Sequence, residues 1–546
     1  MKRRHFIRLS AAASAAALTP FQLQAALGSS LPYLDCDLSN RKLVLVFLQG
    51  GNDGVNTVIP LDQYDTYRNL RPTLGIPDSG THKYITLDST LDENQQMGLH
   101  PALTSFKTLY DQEKLRIFQS CGYPGVNGSH FRGTDLYLSG NDGESNANND
   151  SSGWVGRFLE NQHPDLLEES YPLAVELGSN VNSLAFIPNS NKGISMNINK
   201  QDLEGFYSVI SGFGGDAPTN IPNTDNGDQI RYIIGADGLS NKYAKAITDA
   251  FNAGQNATSN YQDNSIANQF KTVARLISGG LKSKVFMVHA RGYDTHHNQA
   301  QGSGDTTGAH STLLTELSQA IETFLNDLES QQLADNVVGQ TFSEFGRKAK
   351  ENNNLGTDHG KVGPMFVFGK PLAGGVSGTN PDLSEANSEN NFQLNTFQFD
   401  YRQIFGTLLQ DFLGANDTVV DATFFDYVNN ESFTNGKIDG LIEDDLNAYL
   451  NCSSLSTADP EAIIKRWKIY PNPVRSGSIV WINGIKTASS VEVKIYNIQG
   501  RLLSKSVEPV TDGKASVSTM ADKSSGLYIV KINDGKTKES HKIVKI

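Results

Sequence analysis

Acidic, imidazole and hydroxyl side chains recur beside short apolar runs of this sequence. An Asp after a Gly-rich turn is usually just turn chemistry, and a single His-rich loop is usually just a polar loop. Four such loops in one chain together indicate a shared metal or anion site, because Asp and neutral His are the ligands that Zn²⁺ and Mn²⁺ accept. The residues concerned are Asp53, the pair Ser129 and His130, the group Asp294, His296 and His297, and the pair Asp358 and His359.

Each apolar run beside these loops is typical of a buried strand. Amphipathic helical segments separate the runs, and this alternation predicts an α/β fold in which helices cover a parallel sheet. Ligands bind beyond the carboxyl ends of the strands in such sheets. We therefore expect the four loops to meet at one edge of the sheet around a shared metal or anion site. The runs span residues 43–48, 115–118, 285–288, 337–342 and 365–368.

Ser129 stands at the expected start of a helix that runs to about residue 139. A helix N-terminus stabilises negative charge, so a hydroxyl there is well placed to act as a nucleophile. The alternative is that Ser129 simply caps the helix. Arg132 and Arg347 carry guanidinium groups that could clamp an anionic ester through paired hydrogen bonds, with ordinary ion pairs as the alternative.

Two other segments are interpreted as structural. His100 in the motif GLHPAL precedes Pro101, and proline favours the first turn of a helix. Residues 308–330 place their large apolar side chains at helical spacing, which predicts a core helix that carries no chemistry.

The charge of the chain is unevenly distributed. Residues 1–25 contain four basic side chains and no acidic one, residues 26–460 contain 27 Lys and Arg against 52 Asp and Glu, and residues 461–546 contain 15 against 7. A length of 546 residues predicts one large and one small domain, and three segments of different charge indicate three roles. The acidic body argues against nucleic acid bound across its surface. The sequence contains no apolar run long enough to predict a transmembrane segment.

Residues 1–26 have the composition of a removable signal peptide. A basic head with Arg3 and Arg4 precedes an Ala-rich apolar run and small residues at Ala25 and Ala26. The paired arginines followed by Phe6 resemble a twin-arginine leader, which exports folded proteins; the general secretion route is the alternative. Either route predicts passage through the periplasm.

The end of the chain predicts a small antiparallel β-sandwich over residues 465–546, after a linker at 451–464. Apolar residues alternate there at Val491, Val493 and Ile495. The ordered motifs YPNP, YNIQGR, SGLYIV and KIVKI resemble the type A sorting domain of the type IX secretion system. This resemblance implies the secretion machinery as a partner and a secreted or outer-membrane surface location. A carbohydrate-binding or adhesive module is the alternative.

The large domain, over residues 35–450, also resembles a known family. The ordered motifs FLQGGNDGVNTVIP, GLHPAL, GSHFRGTD, GYDTHHNQ, TFSEFGR and TDHG, between about 41 and 415, are similar to those of the DUF1501 family, which is related to the alkaline phosphatase and sulfatase superfamily. The resemblance implies a sheet flanked by helices and metal-assisted hydrolysis of phosphate or sulfate esters, with Zn, Mn, Mg or Ca as the divalent metal.

The resemblance also implies individual roles. Asp53 would be the metal carboxylate after the first strand, Ser129 the nucleophile, and the remaining ligands would be Asp294, His296, Asp358 and His359. The superfamily places a further His downstream of its Asp-His pair, whereas this chain has none between His359 and His541. A substitute ligand or substrate contact is therefore sought among other residues, namely His130, Arg132, His297, His310, Glu344 and Arg347.

Two functions remain open on the sequence alone. The first is an exported metal-dependent hydrolase of phosphate or sulfate esters. The second is a surface binding or assembly protein that keeps the fold without turnover, because a fold does not fix a function. Of the three cysteines, Cys36 and Cys452 lie near the ends of the large domain, and we hypothesise that they pair in an oxidising compartment.

Overall fold

The computed structural model describes residues 38–144, 151–178, 181–198, 225–302, 304–424 and 436–443, and most of 467–545. Within that last stretch it describes 467–470, 474–475, 479–485, 489–497, 502–511, 513–517, 523–524, 526–534 and 538–545. The predicted signal peptide, the predicted linker and the cysteines Cys36 and Cys452 lie outside the described residues. The chain divides into two compact units, Met1–Leu450 and Asn451–Ile546.

The first unit is built on a nine-stranded mixed sheet, with small two- and three-stranded sheets beside it. Its central strand is buried except at its last residue, and residues 43–48 within it are apolar, as the sequence predicts. The strands are β1 (Lys42–Gln49), β2 (Val58–Pro60), β3 (Ile85–Thr86), β4 (Met97–Leu99), β5 (Leu115–Gly122), β6 (Ala174–Leu177), β7 (Ser195–Ile198), β8 (Val285–Arg291), β9 (Val337–Phe342), β10 (Arg347–Glu351), β11 (Thr357–His359), β12 (Gly363–Phe368), β13 (Gly375–Ser377) and β14 (Phe399–Asp400).

Helices cover both faces of this sheet, and successive side chains of β1 point into different cores. Val44 and Val46 pack with the long helices of one layer, whereas Leu43 and Leu45 pack against the other. The helices are α1 (Gly54–Thr57), α2 (Tyr64–Leu70), α3 (Thr104–Asp111), α4 (His130–Ser139), α5 (Trp154–Gln162), α6 (Asp225–Ala253), α7 (Ser265–Ser278), α8 (Ala309–Ser330), α9 (Tyr401–Thr407) and α10 (Asp417–Phe424), with a π-helical turn, Leu408–Phe412, after α9.

The order of the main sheet is β13-β5-β12-β9-β1-β8-β6-β7, with β14 also paired to β5. Strands β9, β1, β8, β6 and β7 run parallel to one another. Strand β12 runs antiparallel to both β5 and β9, so its beginning lies at the edge where theirs end. The segment 343–362, which leaves β9 and returns as β12, forms the β10–β11 hairpin at that edge.

The second unit is antiparallel throughout its described strands and has its own core around Val493, Ile495 and Val530. It contains a three-stranded sheet, β15-β16-β19, and a four-stranded sheet, β18-β17-β20-β21. These strands are β15 (Lys468–Tyr470), β16 (Val480–Asn483), β17 (Ser490–Asn497), β18 (Leu502–Pro509), β19 (Lys514–Val517), β20 (Gly526–Asn533) and β21 (Lys538–Lys545).

The predicted fold class is confirmed: an α/β unit with a helix-covered sheet is joined in the chain to a small β unit. The helix predicted over 308–330 is α8, and its apolar stripe is buried. In the described part of the chain, no helix is both long and apolar enough to cross a membrane.

Candidate functional site

The loops after β1, β8 and β9 approach each other closely at the carboxyl edge of the sheet. Gly50 adopts φ +124°, and a Cβ added to it would lie 2.2 Å from the backbone nitrogen of Asp294. Glycine is therefore needed there, both for the backbone conformation and for the close approach of the two loops. The Gly50 N–H donates to Glu344 Oε1 at 2.9 Å, which ties the β1 loop to the β9 loop as well.

Three imidazoles converge on one carboxylate at this edge. The Nε2 atoms of His296 and His359 each lie 3.2 Å from Asp294 Oδ1. His130 Nε2, from the start of α4, lies 3.3 Å from Asp294 Oδ2. The two facing nitrogens, His296 Nε2 and His359 Nε2, are 2.9 Å apart. These four side chains are between 24% and 46% exposed, so the cluster is open to solvent.

Each of these imidazoles is held by an oxygen acceptor at its other ring nitrogen. His359 Nδ1 donates to the Gly128 carbonyl oxygen at 2.7 Å, and His130 Nδ1 lies 2.9 Å from Glu344 Oε1. His296 Nδ1 lies 3.3 Å from Asp358 Oδ1. Since carbonyl and carboxylate oxygens accept, the Nδ1 atoms carry the protons, and in the neutral rings each Nε2 keeps its lone pair.

This donor set fits a divalent cation. Three Nε2 lone pairs that face one carboxylate repel each other unless a proton or a cation lies between them, and imidazole with carboxylate is a zinc-type set. With metal–nitrogen distances of about 2.0–2.1 Å, neighbouring ligand atoms of a tetrahedral site lie ~3.3 Å apart, and the observed separations of 2.9–3.3 Å are close to that. Oxygen acceptors behind ligating histidines are also the usual support of metal sites.

Basic and amide groups hold the two carboxylates of the site. Burial disfavours the charged form of Asp294, but the hydrogen bond from Arg347 (2.6 Å) and the charge of that guanidinium outweigh it and lower the pKa of Asp294 to about 2. Burial likewise opposes ionisation of Asp358, and hydrogen bonds from Asn352, Lys348 and His296 lower its pKa. Both groups are therefore carboxylates at neutral pH, as metal ligands must be.

The environments of two of the imidazoles differ. The hydrogen bond to Glu344 is the main cause that raises the pKa of His130. Burial is the main cause that lowers the pKa of His359, which keeps that ring in the neutral form that can bind a cation.

Ser129 is exposed and lies between the two residues that contact the cluster, Gly128 and His130. It occupies the N-cap position of α4, yet its hydroxyl makes no capping hydrogen bond. Its backbone N–H instead donates to Asn127 Oδ1 at 2.8 Å. The side chain is thus not used as a helix cap.

Asp53 is brought to a different place from the other expected ligands. It is fully buried, and both of its carboxylate oxygens are engaged by Arg71, at 2.5 and 2.8 Å. Burial alone would raise the pKa of Asp53, but the charge and hydrogen bonds of Arg71 lower it. Gln299 Nε2 also donates to Asp53 Oδ2 at 2.5 Å. Asp53 thus lies in a saturated buried ion pair rather than among the exposed imidazoles.

The additional candidates are also distributed between different places. Arg347 is buried and donates to the Gly51 and Thr357 carbonyl oxygens at 2.8 and 2.6 Å as well as to Asp294, so it braces the loops instead of facing a substrate. Glu344 is buried behind His130. Arg132 and His297 are exposed.

A second group of possible ligands, His100, Asp305 and His310, is completely buried. His100 Nδ1 accepts the Ala102 N–H at 3.0 Å, so its Nε2 carries the proton and donates to the Asp305 carbonyl oxygen. His310 Nδ1 lies 2.6 Å from Asp305 Oδ2. With its ring nitrogens used in this way, His100 is structural, and His310 serves this buried group instead of the exposed cluster.

Sequence reasoning passed over the residues beneath the cluster, namely Arg71, Thr295, Gln299, Lys348, Asn352 and Thr357. Three of them, Thr295, Gln299 and Thr357, stand inside the quoted motifs GYDTHHNQ and TDHG, and the two threonines are directly beside predicted ligands. Their inward orientation follows from the alternation of side chains along an extended segment, which is the signal that could have identified them.

The structure is that of an α/β protein with a cluster of possible metal ligands at the carboxyl edge of its sheet. Residues 209–416 match the family model described as "Protein of unknown function (DUF1501)". Residues 468–546 match the model described as "Secretion system C-terminal sorting domain". Both predicted resemblances are confirmed, although the first match leaves out 41–208, the stretch that holds GGNDG and GSHFRGTD.

Several solved structures are similar to parts of this chain. PorZ, a bacterial surface component of the type-IX secretion system of Porphyromonas gingivalis, is 24% identical over 16% of this chain and 12% of its own, with a TM-score of 0.13. A protein in the alkaline phosphatase superfamily from Vibrio parahaemolyticus is 9% identical over 86% of this chain and 82% of its own, with a TM-score of 0.33. Ps i-CgsB in complex with k-i-k-neocarrahexaose is 10% identical over 73% and 77%, with a TM-score of 0.33. No curated protein matches the chain.

The chain spans little of the first of these structures. It covers 12% of PorZ and between 6% and 8% of the α2-macroglobulins of Salmonella and Escherichia coli that it also matches.

Proposed function

We propose that this protein is an exported, metal-dependent hydrolase of phosphate or sulfate esters. One observation carries the proposal: the Nε2 atoms of His296 and His359 face one oxygen of Asp294, that of His130 faces the other, and each imidazole has an oxygen acceptor behind it. Asp294, His296 and His359 would hold the cation, and His130 supplies the further imidazole that the sequence lacks downstream of His359. Asp358 would hold His296 in place and would not itself contact the cation.

The charge of the cluster suits an anionic substrate. Three neutral imidazoles and one carboxylate carry a charge of −1, so a bound divalent cation leaves the site positive and attractive to a phosphate or sulfate group. When bound, the cation supplies Lewis acidity and charge stabilisation for an ester oxygen. Lys348 Nζ lies 3.3 Å from Asp358 Oδ2 and offsets the charge of this second carboxylate.

Ser129 is the proposed nucleophile. Its hydroxyl is exposed, is not used as a cap, and stands between two residues that contact the imidazoles. The N-terminus of α4 would stabilise negative charge that develops on the hydroxyl oxygen. Arg132, three residues further and exposed, is the proposed contact for the anionic group.

Hydrolysis of aryl phosphates and aryl sulfates tests the proposal, with Zn²⁺, Mn²⁺, Mg²⁺ and Ca²⁺ each added to metal-stripped full-length protein. We expect Asp294→Asn, His359→Ala and Ser129→Ala each to lower kcat/KM by ~100-fold or more. His82→Ala, at an exposed histidine outside the cluster, is the control and should leave the rate unchanged. Activity that survives both His359→Ala and Asp294→Asn would place the reaction elsewhere.

Elemental analysis separates hydrolysis from the alternative, a surface binding or assembly protein. Stoichiometric metal that Asp294→Asn removes, together with no turnover of any ester, would support the alternative. The open cluster, with ligands up to 46% exposed, is compatible with either substrate or partner access.

The sorting-domain match suggests export, and we propose the type IX machinery as the partner that recognises the second unit. The proposed location is therefore the cell surface or the medium, reached through the periplasm. A chain that lacks 468–546 should accumulate in the periplasm when it is produced in a host with this secretion system. Its arrival at the surface at the normal level would contradict the proposal.

A further inference from the structure

A single buried amide lies beneath the candidate metal site. Gln299 is fully buried, and its Nε2 donates to Asp53 Oδ2 at 2.5 Å and to Asp305 Oδ2 at 2.9 Å. Its Oε1 accepts from the hydroxyls of Thr295 at 3.1 Å and Thr357 at 2.9 Å. An amide offers two N–H donors and two acceptor lone pairs, so all four are used. The reverse orientation is excluded, because it would set the amide oxygen against two carboxylates.

The two threonines belong to the two loops that carry the candidate ligands. Thr295 lies between Asp294 and His296, and Thr357 directly precedes Asp358. Both threonines are buried, whereas those neighbours are 41–46% exposed, so each loop turns its ligands outward and its threonine inward. The Thr357 N–H also donates to the Thr295 carbonyl oxygen at 3.1 Å. The loops are therefore joined directly below the imidazoles.

The two carboxylates that accept from the amide, those of Asp53 and Asp305, are themselves held by other buried groups. Asp53 is bound by Arg71, whose guanidinium also donates to the carbonyl oxygens of Lys348 and Ala349 at 2.9 and 2.8 Å. Asp305 is bound by His310 Nδ1 at 2.6 Å. All the side chains that anchor the amide are inaccessible to solvent. Because these groups are buried, the loss of one partner leaves a polar group poorly compensated, which favours the observed arrangement.

We propose that Gln299 is a positioning residue which, through Thr295 and Thr357, sets the separation of the two ligand loops and thereby the affinity and geometry of the metal site. The inference rests on the metal site proposed above. It also gives Asp53 a role that the family resemblance does not: Asp53 anchors the amide. Metal coordination tolerates displacements of only ~0.2 Å, so a small separation of the loops is sufficient to weaken it.

Co²⁺ binding to the full-length protein tests this inference, because the visible spectrum of Co²⁺ reports the geometry of its ligands. The double variant Thr295→Val, Thr357→Val removes both hydroxyls and keeps the side-chain volumes. We expect its Co²⁺ dissociation constant to rise by ~10–100-fold, the usual effect of losing outer contacts of metal ligands, and its spectrum to change.

Two controls separate positioning from general stability. Thr295→Ser, Thr357→Ser keeps the hydroxyls and should restore the affinity and the spectrum. Thr423→Val removes an equally buried hydroxyl, which bonds the Val419 carbonyl oxygen of α10, and should change neither. Wild-type affinity and spectrum in the double valine variant would overturn the inference.

The outcomes for the two proposals are distinguishable. If Asp294→Asn and His359→Ala abolish Co²⁺ binding while the double valine variant binds like the wild type, only the positioning role fails. If the wild-type protein binds no Co²⁺, or if Asp294→Asn and His359→Ala bind it normally, the metal site itself fails and the positioning role fails with it.

Discussion

The contacts behind the imidazoles decide which ring nitrogen faces the site. A histidine has two nitrogens of different roles, and the acceptor at Nδ1 determines the protonation of Nε2. Glu344 does this for His130, and the Gly128 carbonyl oxygen does it for His359. His130 therefore has the geometry of a ligand, although it lies in sequence far from the Asp358-His359 pair.

We expect Glu344→Gln to weaken Zn²⁺ binding by ~10–100-fold. Glu344 Oε1 accepts from both the Gly50 N–H and His130 Nδ1, so the oxygen of the new amide can take its place, but the negative charge behind the ring is lost. A neutral acceptor at Nδ1 makes His130 Nε2 a weaker donor to a cation. Isothermal titration calorimetry measures the change. Glu160→Gln is the control, since Glu160 also accepts from backbone N–H groups, those of Asn189 and Ser190, but lies outside the cluster. Equal affinities in both variants would refute the role of Glu344.

The four loops of the site could be predicted because each stands beside an apolar run and contains residues of ligand type. The pairing of Asp53 with Arg71 could not, because 18 residues separate them and no local pattern marks an arginine that will be buried. For the same reason the sequence leaves open whether Arg347 contacts a substrate or forms an ion pair. Whether a charged group faces solvent or a buried partner is a property of tertiary packing.

At the scale of elements, the Asp53–Arg71 pair joins the β1 loop to α2 and to the β10 strand. Arg71 donates to Asp53 and to the Lys348 and Ala349 carbonyl oxygens. A buried ion pair adds little to stability by itself, but the removal of one partner leaves an uncompensated charge. The pair therefore matters for keeping the edge elements together.

Arg71→Leu should lower the free energy of unfolding by about 3–5 kcal/mol. The double variant Asp53→Asn, Arg71→Leu should recover part of that loss, since no buried charge remains. Urea unfolding followed by the helical circular dichroism signal measures both. Lys245→Met, in an exposed i,i+4 pair with Asp249, should cost less than about 1 kcal/mol. A loss in Arg71→Leu as small as that would contradict the prediction.

The order of the strands and helices was largely readable, whereas their directions were not. The apolar run 365–368 predicts a strand, and β12 is there. An apolar run has the same appearance in either direction, so its antiparallel course between β5 and β9 could not be deduced. The β10–β11 hairpin was missed because RKAKE shows no apolar alternation.

At the scale of the whole molecule, buried histidine makes the large unit sensitive to acid. Burial lowers the pKa of His100 to about 4 in the folded protein, against about 6.5 in an unfolded chain. Between these values the unfolded state binds more protons than the folded state. The stability that neutral His100 provides is therefore complete above pH ~6.5 and is lost as the pH falls toward 4.

We expect the wild-type protein to lose about 2 kcal/mol more unfolding free energy than His100→Gln when the pH is lowered from 7.5 to 5. The glutamine amide can still donate to the Asp305 carbonyl oxygen, the acceptor that His100 Nε2 uses, but it does not titrate. Urea unfolding at both pH values gives the comparison, with His82→Ala as an exposed control. Parallel losses in wild type and His100→Gln would show that His100 is not the group responsible.

Because β12 runs antiparallel to β5 and β9, one continuous stretch of the chain supplies much of the site. One excursion, residues 343–362, leaves the sheet and re-enters it at the same edge, and it carries Glu344, Arg347, Lys348, Asp358 and His359. These twenty consecutive residues thus contain the proposed ligand His359 and Asp358, which holds the proposed ligand His296. They also contain the three residues that support the loops. An exchange of that stretch between related proteins would also need Arg71, Asp294 and Gln299 in the recipient, because these residues outside the stretch hold it in place.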